Sequence, residues 1–478
     1  MASSRVQQVA AARTVDEAAG PSASIRPVAL VGADTPVPIA PSGEVPYCNL
    51  DFAASAPPLR HVQDVIDEFL PWYSSIHRGA GFKSQVASAA YDGARESVRR
   101  FLNARPDDLV IFTRNTTDSV NLLERALPPS LEVVTFAFEH HANLLPWRRR
   151  RRVIHLPVPG GPAEMIASLR ESLASHASPV LVAISGAPNV TGEVVPLAEL
   201  ARVIHDHGST LFVDAAQLAP HRAIDMTASG IDFLALSGHK LYAPYGTGAL
   251  VGAEARLGDA EPYLAGGGAV ELVTLDDVIW SSGPERHEAG TPNLIGAVAL
   301  AAACDHLAEI GMDRIAAAEE ELYAFATREL LAVPGLELYS TWDLSTPHIG
   351  VLTFNLAGYD HAAVGTVLSV EHGIGVRDGC FCAHPLMAHL LRITEDDLAG
   401  LSRQLRSAGR AKLPGAVRAS LGLDSTRSDV LRLTAALREL AADGPRWTYR
   451  VDPDSGSWSA DPDPRRWPAL GVRLQRGG

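Results

Sequence analysis

Cysteine is scarce: Cys48, Cys304, Cys380 and Cys382 are the only four in a chain of 478 residues. So few thiols, so widely spaced, do not make a disulfide framework, and the cytoplasm is the expected compartment. No run of 18 apolar residues occurs, so no membrane-spanning helix is expected. The N-terminus lacks the charged-then-apolar layout of a secretory signal. Positive charge is also short, with 41 Lys and Arg against 55 Asp and Glu and a formal net charge of -14. That balance argues against bulk nucleic-acid binding, though not against a local basic patch. One such patch exists, Arg148 to Arg152 after Trp147, and its plainest reading is a solvated helix end entering a loop. Metal-site patterns are missing as well. His140-His141 has no HExxH around it, and Cys380 and Cys382 have no second pair, so no metal centre is expected. A disulfide between those two cysteines would be strained.

What is present is ordinary for a globular enzyme: 46% hydrophobic and 20% charged residues, in a chain long enough for two cores. Residues 1–44 are rich in Ala, Ser, Pro and Val without periodicity and are expected to form a disordered extension. From 45 to about 295, short β-rich runs alternate with amphipathic stretches. Expected strands include 109–113, 133–136, 153–156, 180–184, 210–214, 231–236 and 248–252, with helices at 85–103, 117–127, 142–149, 162–175 and 196–207 between them. This is the pattern of an α/β fold with a mainly parallel sheet between helices. An alanine-rich helix near 293–312 should bridge to a smaller α+β domain reaching 444. A tail over 445–478, with Trp447, Trp458 and Trp467, is expected to dock on the body.

The chemistry concentrates past strand ends, where ligands sit in such sheets. Leu211-Phe212-Val213-Asp214 is an apolar strand ending in an acid, and Ser237-Gly238-His239-Lys240 follows the next strand, with Lys240 lying 26 residues after Asp214. A lysine that can form a Schiff base and an acid that can keep a pyridine nitrogen protonated are what pyridoxal phosphate requires. Arg114-Asn115-Thr116-Thr117-Asp118 opens a helix after a strand, a possible anion site or an ordinary N-cap. Glu139-His140-His141-Ala142-Asn143 could stack an imidazole on a cofactor ring or be structural, and Asn189 could hydrogen-bond a phenolic oxygen or merely shape a turn.

Taken in order, these segments resemble the class V, fold type I pyridoxal-phosphate enzymes, in the cysteine desulfurase and selenocysteine lyase branch. Asn49 to Ala54, His77-Arg78-Gly79-Ala80, Glu288-Ala289-Gly290-Thr291-Pro292 and Arg377-Asp378-Gly379-Cys380-Phe381-Cys382 extend the likeness, which runs from about Tyr47 to Leu440. The resemblance implies a seven-stranded sheet in the large domain and a role for each matching residue. Lys240 would carry the cofactor and move the α-proton. Asp214 would pair with the ring nitrogen, His140 would stack on the ring, and Asn189 and Gln217 would lie near the phenolic oxygen. Thr116, Thr117, Ser237 and His239 would hold the phosphate, with Thr291 reaching it from a neighbouring subunit of a homodimer. Arg418 would clamp the substrate carboxylate, with Asn189, His77 and Arg377 beside the substrate. Cys382 would accept sulfur from L-cysteine as a persulfide, alanine would leave, and an acceptor protein would collect the sulfur.

The chain also departs from that pattern. Gly-Cys-Phe-Cys is closer in wording to the molybdenum cofactor sulfurase relatives, Asn115 stands where glycine is usual, and the stretch from Pro385 to Arg418 is longer than usual. The alternative is another class V activity on an amino acid, such as a C–S lyase, epimerase or aminotransferase, with no need of Cys382.

Overall fold

The computed structural model describes residues 28–77, 79–409, 411–452, 456–472 and 474. Its centre is a sheet of seven strands: β1 Asp108–Thr113, β2 Val133–Phe136, β3 Val153–Leu156, β4 Leu181–Ser185, β5 Thr210–Asp214, β6 Phe233–Ser237 and β7 Gly248–Ala253. Their order across the sheet is β1-β7-β6-β5-β4-β2-β3. Only β7 runs against its neighbours; the rest are parallel. The expected mainly parallel α/β sheet is therefore present.

Side-chain alternation explains why these runs are apolar throughout. In β4, Val182 and Ile184 enter the core on one face, while Leu181 and Ala183 enter the core on the other. In β5, Leu211 and Val213 pair with the first face and Phe212 with the second. Both faces are covered, so neither set can be polar. Helices Phe82–Phe101 and Leu294–Ile310 pack together on one side. Ala297, Ala299 and Ala303 on the second of these are fully buried, and their small size lets the two axes approach closely. The helix is then followed directly by another, Met312–Leu331.

A second core lies beyond that bridge. Strands β8 Leu336–Tyr339, β9 Val351–Leu356, β10 Arg377–Gly379 and β11 Ala416–Ser420 form an antiparallel sheet in the order β8-β9-β11-β10. Helices His361–His372 and Arg427–Asp443 pack with it. Between β10 and β11 the long stretch noted in the sequence forms two helices, His384–Leu390 and Glu395–Ala408, the second started by a Thr394/Asp397 capping box.

Three local expectations are corrected. Residues 28–44 are not a loose extension: Leu30 is buried, Val31 N–H donates to the Pro58 carbonyl, and Pro36–Pro38 pairs with Glu44–Pro46. Residues 1–27 lie outside the described residues. The helix expected at 142–149 is instead two 3-10 turns, His141–Asn143 and Trp147–Arg149. Pro146 between them has no N–H for a helical bond and restricts Leu145 before it. The arginine run is not uniformly solvated. Arg151 is buried, and its guanidinium donates to the carbonyls of Glu124, Leu127, Pro128 and Leu131, closing the end of helix Thr116–Ala126. The tryptophan-bearing tail forms a hairpin, Tyr449–Val451 with Trp458–Ala460. It is held by Glu371, which accepts from the Trp447 N–H and the Tyr449 hydroxyl.

Candidate active site

The C-terminal ends of five strands open on one cavity of about 470 Å³. After β1 come Asn115, Thr116 and Thr117; after β2, His140; after β4, Asn189; at the end of β5, Asp214 and then Gln217; after β6, His239 and Lys240, with Ser237 its last residue. Ten residues from five separate segments thus share one wall because parallel strands end on one edge of the sheet. The turn carrying Lys240 is tightly held. The Gly238 N–H donates to the Thr247 carbonyl at 2.8 Å, and a Cβ on Gly238 would lie 2.7 Å from that same oxygen. Glycine is the residue that the approach permits.

Electrostatics on this wall favour neutral nitrogen bases. Lys240 is pushed down to about 8, first by burial and then by Arg418, while Asp214 and Cys382 pull it up. His140 falls to about 3 through burial, Lys240, His141 and Arg418. Its Nδ1 accepts the Ala142 N–H at 3.0 Å, so the ring proton sits on Nε2. His239 falls to about 4 through burial and Lys240. Asp214 is buried, which raises its carboxyl, while the Ala216 N–H at 2.9 Å and Lys240 favour the charged form.

The cavity's other wall comes from the smaller sheet. Arg418, on β11, is buried and donates to the Asn189 carbonyl at 3.0 Å and to Asp51 Oδ1 at 3.3 Å. Its guanidinium lies 5.1 Å from the centre of the Phe381 ring. Burial brings it down to about 10, with Asp51 opposing. Arg377 lines the rim, 4.0 Å from the other oxygen of Asp51. Cys382 is exposed and lines the cavity beside Phe381. Its loop is pinned at two carbonyls: Phe381 O accepts from Asn189 Nδ2 at 2.7 Å, and Cys382 O accepts from the His141 N–H at 2.8 Å. Phe381 and Cys382 adopt φ of 53 and 55, the left-handed region that side chains other than glycine enter rarely.

Pyridoxal phosphate fits these residues. Asn189 Oδ1 and Arg418 Nε are buried without hydrogen-bond partners, so each has bonding capacity left for a bound group. A carboxylate, a depressed amine and a neutral imidazole meet the needs of a pyridinium, an aldehyde and a ring face. For the phosphate there is the start of helix Thr116–Ala126, with the Thr116 N–H and hydroxyl both on Ser237 Oγ, at 2.8 and 2.9 Å, and with exposed Thr117 next to them. Asn189 differs in detail from the expectation. One amide hydrogen serves the Phe381 carbonyl, and its Oδ1 is buried without a partner. Gln217 likewise donates to the Ala53 carbonyl at 2.8 Å.

Two expected site residues lie elsewhere in the chain. His77 does not reach the Lys240 cavity; it bonds Asp92 at 3.0 Å and has φ of 63. With Thr291 it lines a separate cavity of about 760 Å³. Arg78 lies outside the described residues. Two contributors had gone unassigned in the sequence. Asp51 sits between Arg418 and Arg377, and its motif Asn49 to Ala54 carried only the family likeness. Glu139 is fully buried and accepts from the Ser185 N–H at 2.8 Å, the Ser185 hydroxyl, and Asn143 Nδ2 at 2.8 Å. Burial pushes it up to about 8, against those donors. Its place directly before His140 was the available signal.

A mainly parallel sheet with this lysine, acid and imidazole at its strand ends defines a fold type I pyridoxal-phosphate enzyme. The chain belongs to the aminotransferase class-V family, whose model matches residues 48–433. It is 36% identical over 356 residues to the probable cysteine desulfurase of Halalkalibacterium halodurans, covering 72% of this chain and 86% of that protein. It is 34% identical over 425 residues to the cysteine desulfurase of Escherichia coli O127:H6, covering 86% and 97%. Among solved structures, the apo cysteine desulfurase of Thermococcus onnurineus NA1 superposes with a TM-score of 0.73 at 30% identity, covering 83% of this chain and 94% of that one. The cysteine desulfurase CsdA (S-sulfonic acid) of Escherichia coli gives 0.68 at 32%, covering 82% and 94%.

Proposed function

We propose that the protein is a cysteine desulfurase, taking sulfur from L-cysteine onto Cys382 and releasing L-alanine, with pyridoxal phosphate as cofactor. One observation carries the reading: a depressed lysine, a buried carboxylate guanidinium clamp and an exposed loop thiol face one another across a single cavity. When bound, the cofactor supplies an electron sink next to the substrate α-carbon. Asp214, His140 and the Thr116, Thr117, Ser237 and His239 group would hold it. Arg418 would take the substrate carboxylate in a bidentate pair, using the free Nε and exchanging its contact with Asp51. That places the α-proton towards Lys240, whose amine is free at slightly alkaline pH and removes it. The Cys382 thiolate then attacks the substrate sulfur. A Cys382 Sγ–S bond forms, the substrate C–S bond breaks, and its electron pair stays with the carbon skeleton, which collects protons and leaves as alanine.

The same proposal includes a homodimer with shared sites, since Thr291 and His77 line their own cavity away from Lys240 of the same chain. It also includes a protein that collects the sulfur, and a cytoplasmic setting, where free thiols stay reduced. The test is alanine and sulfide release from L-cysteine by Cys382→Ala. The expected result is a loss of about a hundred-fold or more with the cofactor absorbance intact. Alanine formation at the wild-type rate would instead favour a class V chemistry that does not use this thiol.

A further inference from the structure

The active-site loop carries a second thiol, and it faces the other way. Cys382 lines the cavity with Lys240, whereas Cys380 lines a separate, mainly apolar groove of about 560 Å³ with His384, Met387 and Leu405. The groove lies between helices His384–Leu390 and Glu395–Ala408, in the stretch that lengthens this chain. Cys380 is not isolated there. Its Sγ is 3.1 Å from His384 Nε2, and His384 Nδ1 is 3.0 Å from His141 Nε2. The rings of His141 and His384 stack at 4.8 Å.

One backbone group sets the direction of this chain. The His384 main-chain N–H points at His141 Nε2, at 3.3 Å, and can only donate. That nitrogen is therefore an acceptor, and neutral His141 carries its proton on Nδ1. His384 Nδ1 must then donate to it, which leaves His384 Nε2 bare and aimed at the Cys380 thiol. A thiol, a base within reach and a third group orienting the base make up an activated nucleophile. Among the described residues no three of His, Cys, Asp and Glu are grouped so as to hold a metal ion, so the arrangement has no metal reading.

We propose that Cys380 is a second sulfur-carrying residue, which takes the sulfur from Cys382 and presents it in the apolar groove, with His384 as its base and His141 as the positioning residue. The proposal rests on the reading of Cys382 as the first acceptor. Burial raises the Cys380 thiol above its ordinary range, so it needs that base. Cys380 lies close enough to Cys382 to feel its charge. The exchange balances without an oxidant. Cys380 gives its proton to His384 Nε2, and its thiolate attacks the outer sulfur of the Cys382 persulfide. A Cys380 Sγ–S bond forms and the Cys382 Sγ–S bond breaks. Cys382 leaves as a thiolate and regains a proton from the imidazolium of His384, directly or through water.

The test mixes holoenzyme with an equimolar amount of L-cysteine and quenches with an alkylating agent. Tandem mass spectrometry then locates the sulfur on the tryptic peptide Asp378–Arg392, which holds both thiols. Alanine in the same quench reports the first transfer separately. The expected result is that a measurable share of the bound sulfur is on Cys380, since the exchange between the two thiols is reversible. In His384→Gln, the rate at which sulfur reaches Cys380 should fall by at least about ten-fold while Cys382 is loaded. In Cys382→Ser, neither position should be loaded. Sulfur confined to Cys382 in the wild type, or an unchanged transfer rate in His384→Gln, overturns the relay and leaves the first step standing. Alanine without sulfur on either thiol would remove the Cys382 reading itself. Loading of Cys380 in Cys382→Ser at the wild-type rate would make Cys380 the first acceptor and end the relay.

Discussion

The two walls of the cavity are built by different means. The cofactor wall stands on strand ends of the parallel sheet, where each residue is fixed by the ladder beneath it and by short polar contacts such as Thr116 to Ser237 and Ser185 to Glu139. The substrate wall comes from the smaller sheet and from a loop, and it is held across the gap by Asn189 on Phe381, His141 on Cys382 and Asp51 on Arg418. Two residues on that loop adopt left-handed backbone angles, and its thiol is exposed. A rigid wall suits a cofactor that must stay. A pinned but strained loop suits a thiol that must approach substrate and then turn away.

This contrast can be broken first on the rigid side. Glu139→Ala leaves the Ser185 N–H, the Ser185 hydroxyl and the Asn143 amide without their acceptor. Chemical denaturation should show a loss of about 3 kcal/mol. No loss would mean that the strand ends are not held as described. A smaller effect comes from pH. Lys240 titrates at about 8 in the free cavity, and only its neutral amine can attach the cofactor. Protonation grows as pH falls, so uptake of pyridoxal phosphate by the apoprotein, followed by visible absorbance, should slow about ten-fold per pH unit below that value and level off above it. A flat profile between about pH 6 and 9 would place the lysine outside this field. The smallest effect is expected on the loop. Asn189→Ala frees the Phe381 carbonyl. It should lower apoprotein stability by only about 1 kcal/mol, and sulfur transfer should fall more than alanine-independent cofactor binding does. Equal losses in both would erase the distinction between the walls.

The cofactor wall was legible in the sequence because each strand announces itself by an apolar run and each functional residue follows one directly: Asp214 after Val213, Lys240 three residues past Ser237. The second wall was less so. Arg418 sits in the middle of β11, where nothing local separates a buried guanidinium from a surface one. Asp51 acquires its meaning only by lying between Arg418 and Arg377. Arg151 shows the same limit, since its four carbonyl partners come from segments 20 or more residues away. The helix expected at 142–149 failed for a local reason, Pro146, that periodicity alone does not weigh.

The sequence by itself determined the sheet, its alternation with helices, and the order of residues along the strand ends, because those depend on periodicity and on residues adjacent in the chain. Only the tertiary structure decided which thiol faces which cavity, which nitrogen of His384 is bare, and what Arg418 and Glu139 hold. Those are contacts between distant segments, and their chemistry depends on burial and hydrogen-bond direction, which exist only once the chain has packed.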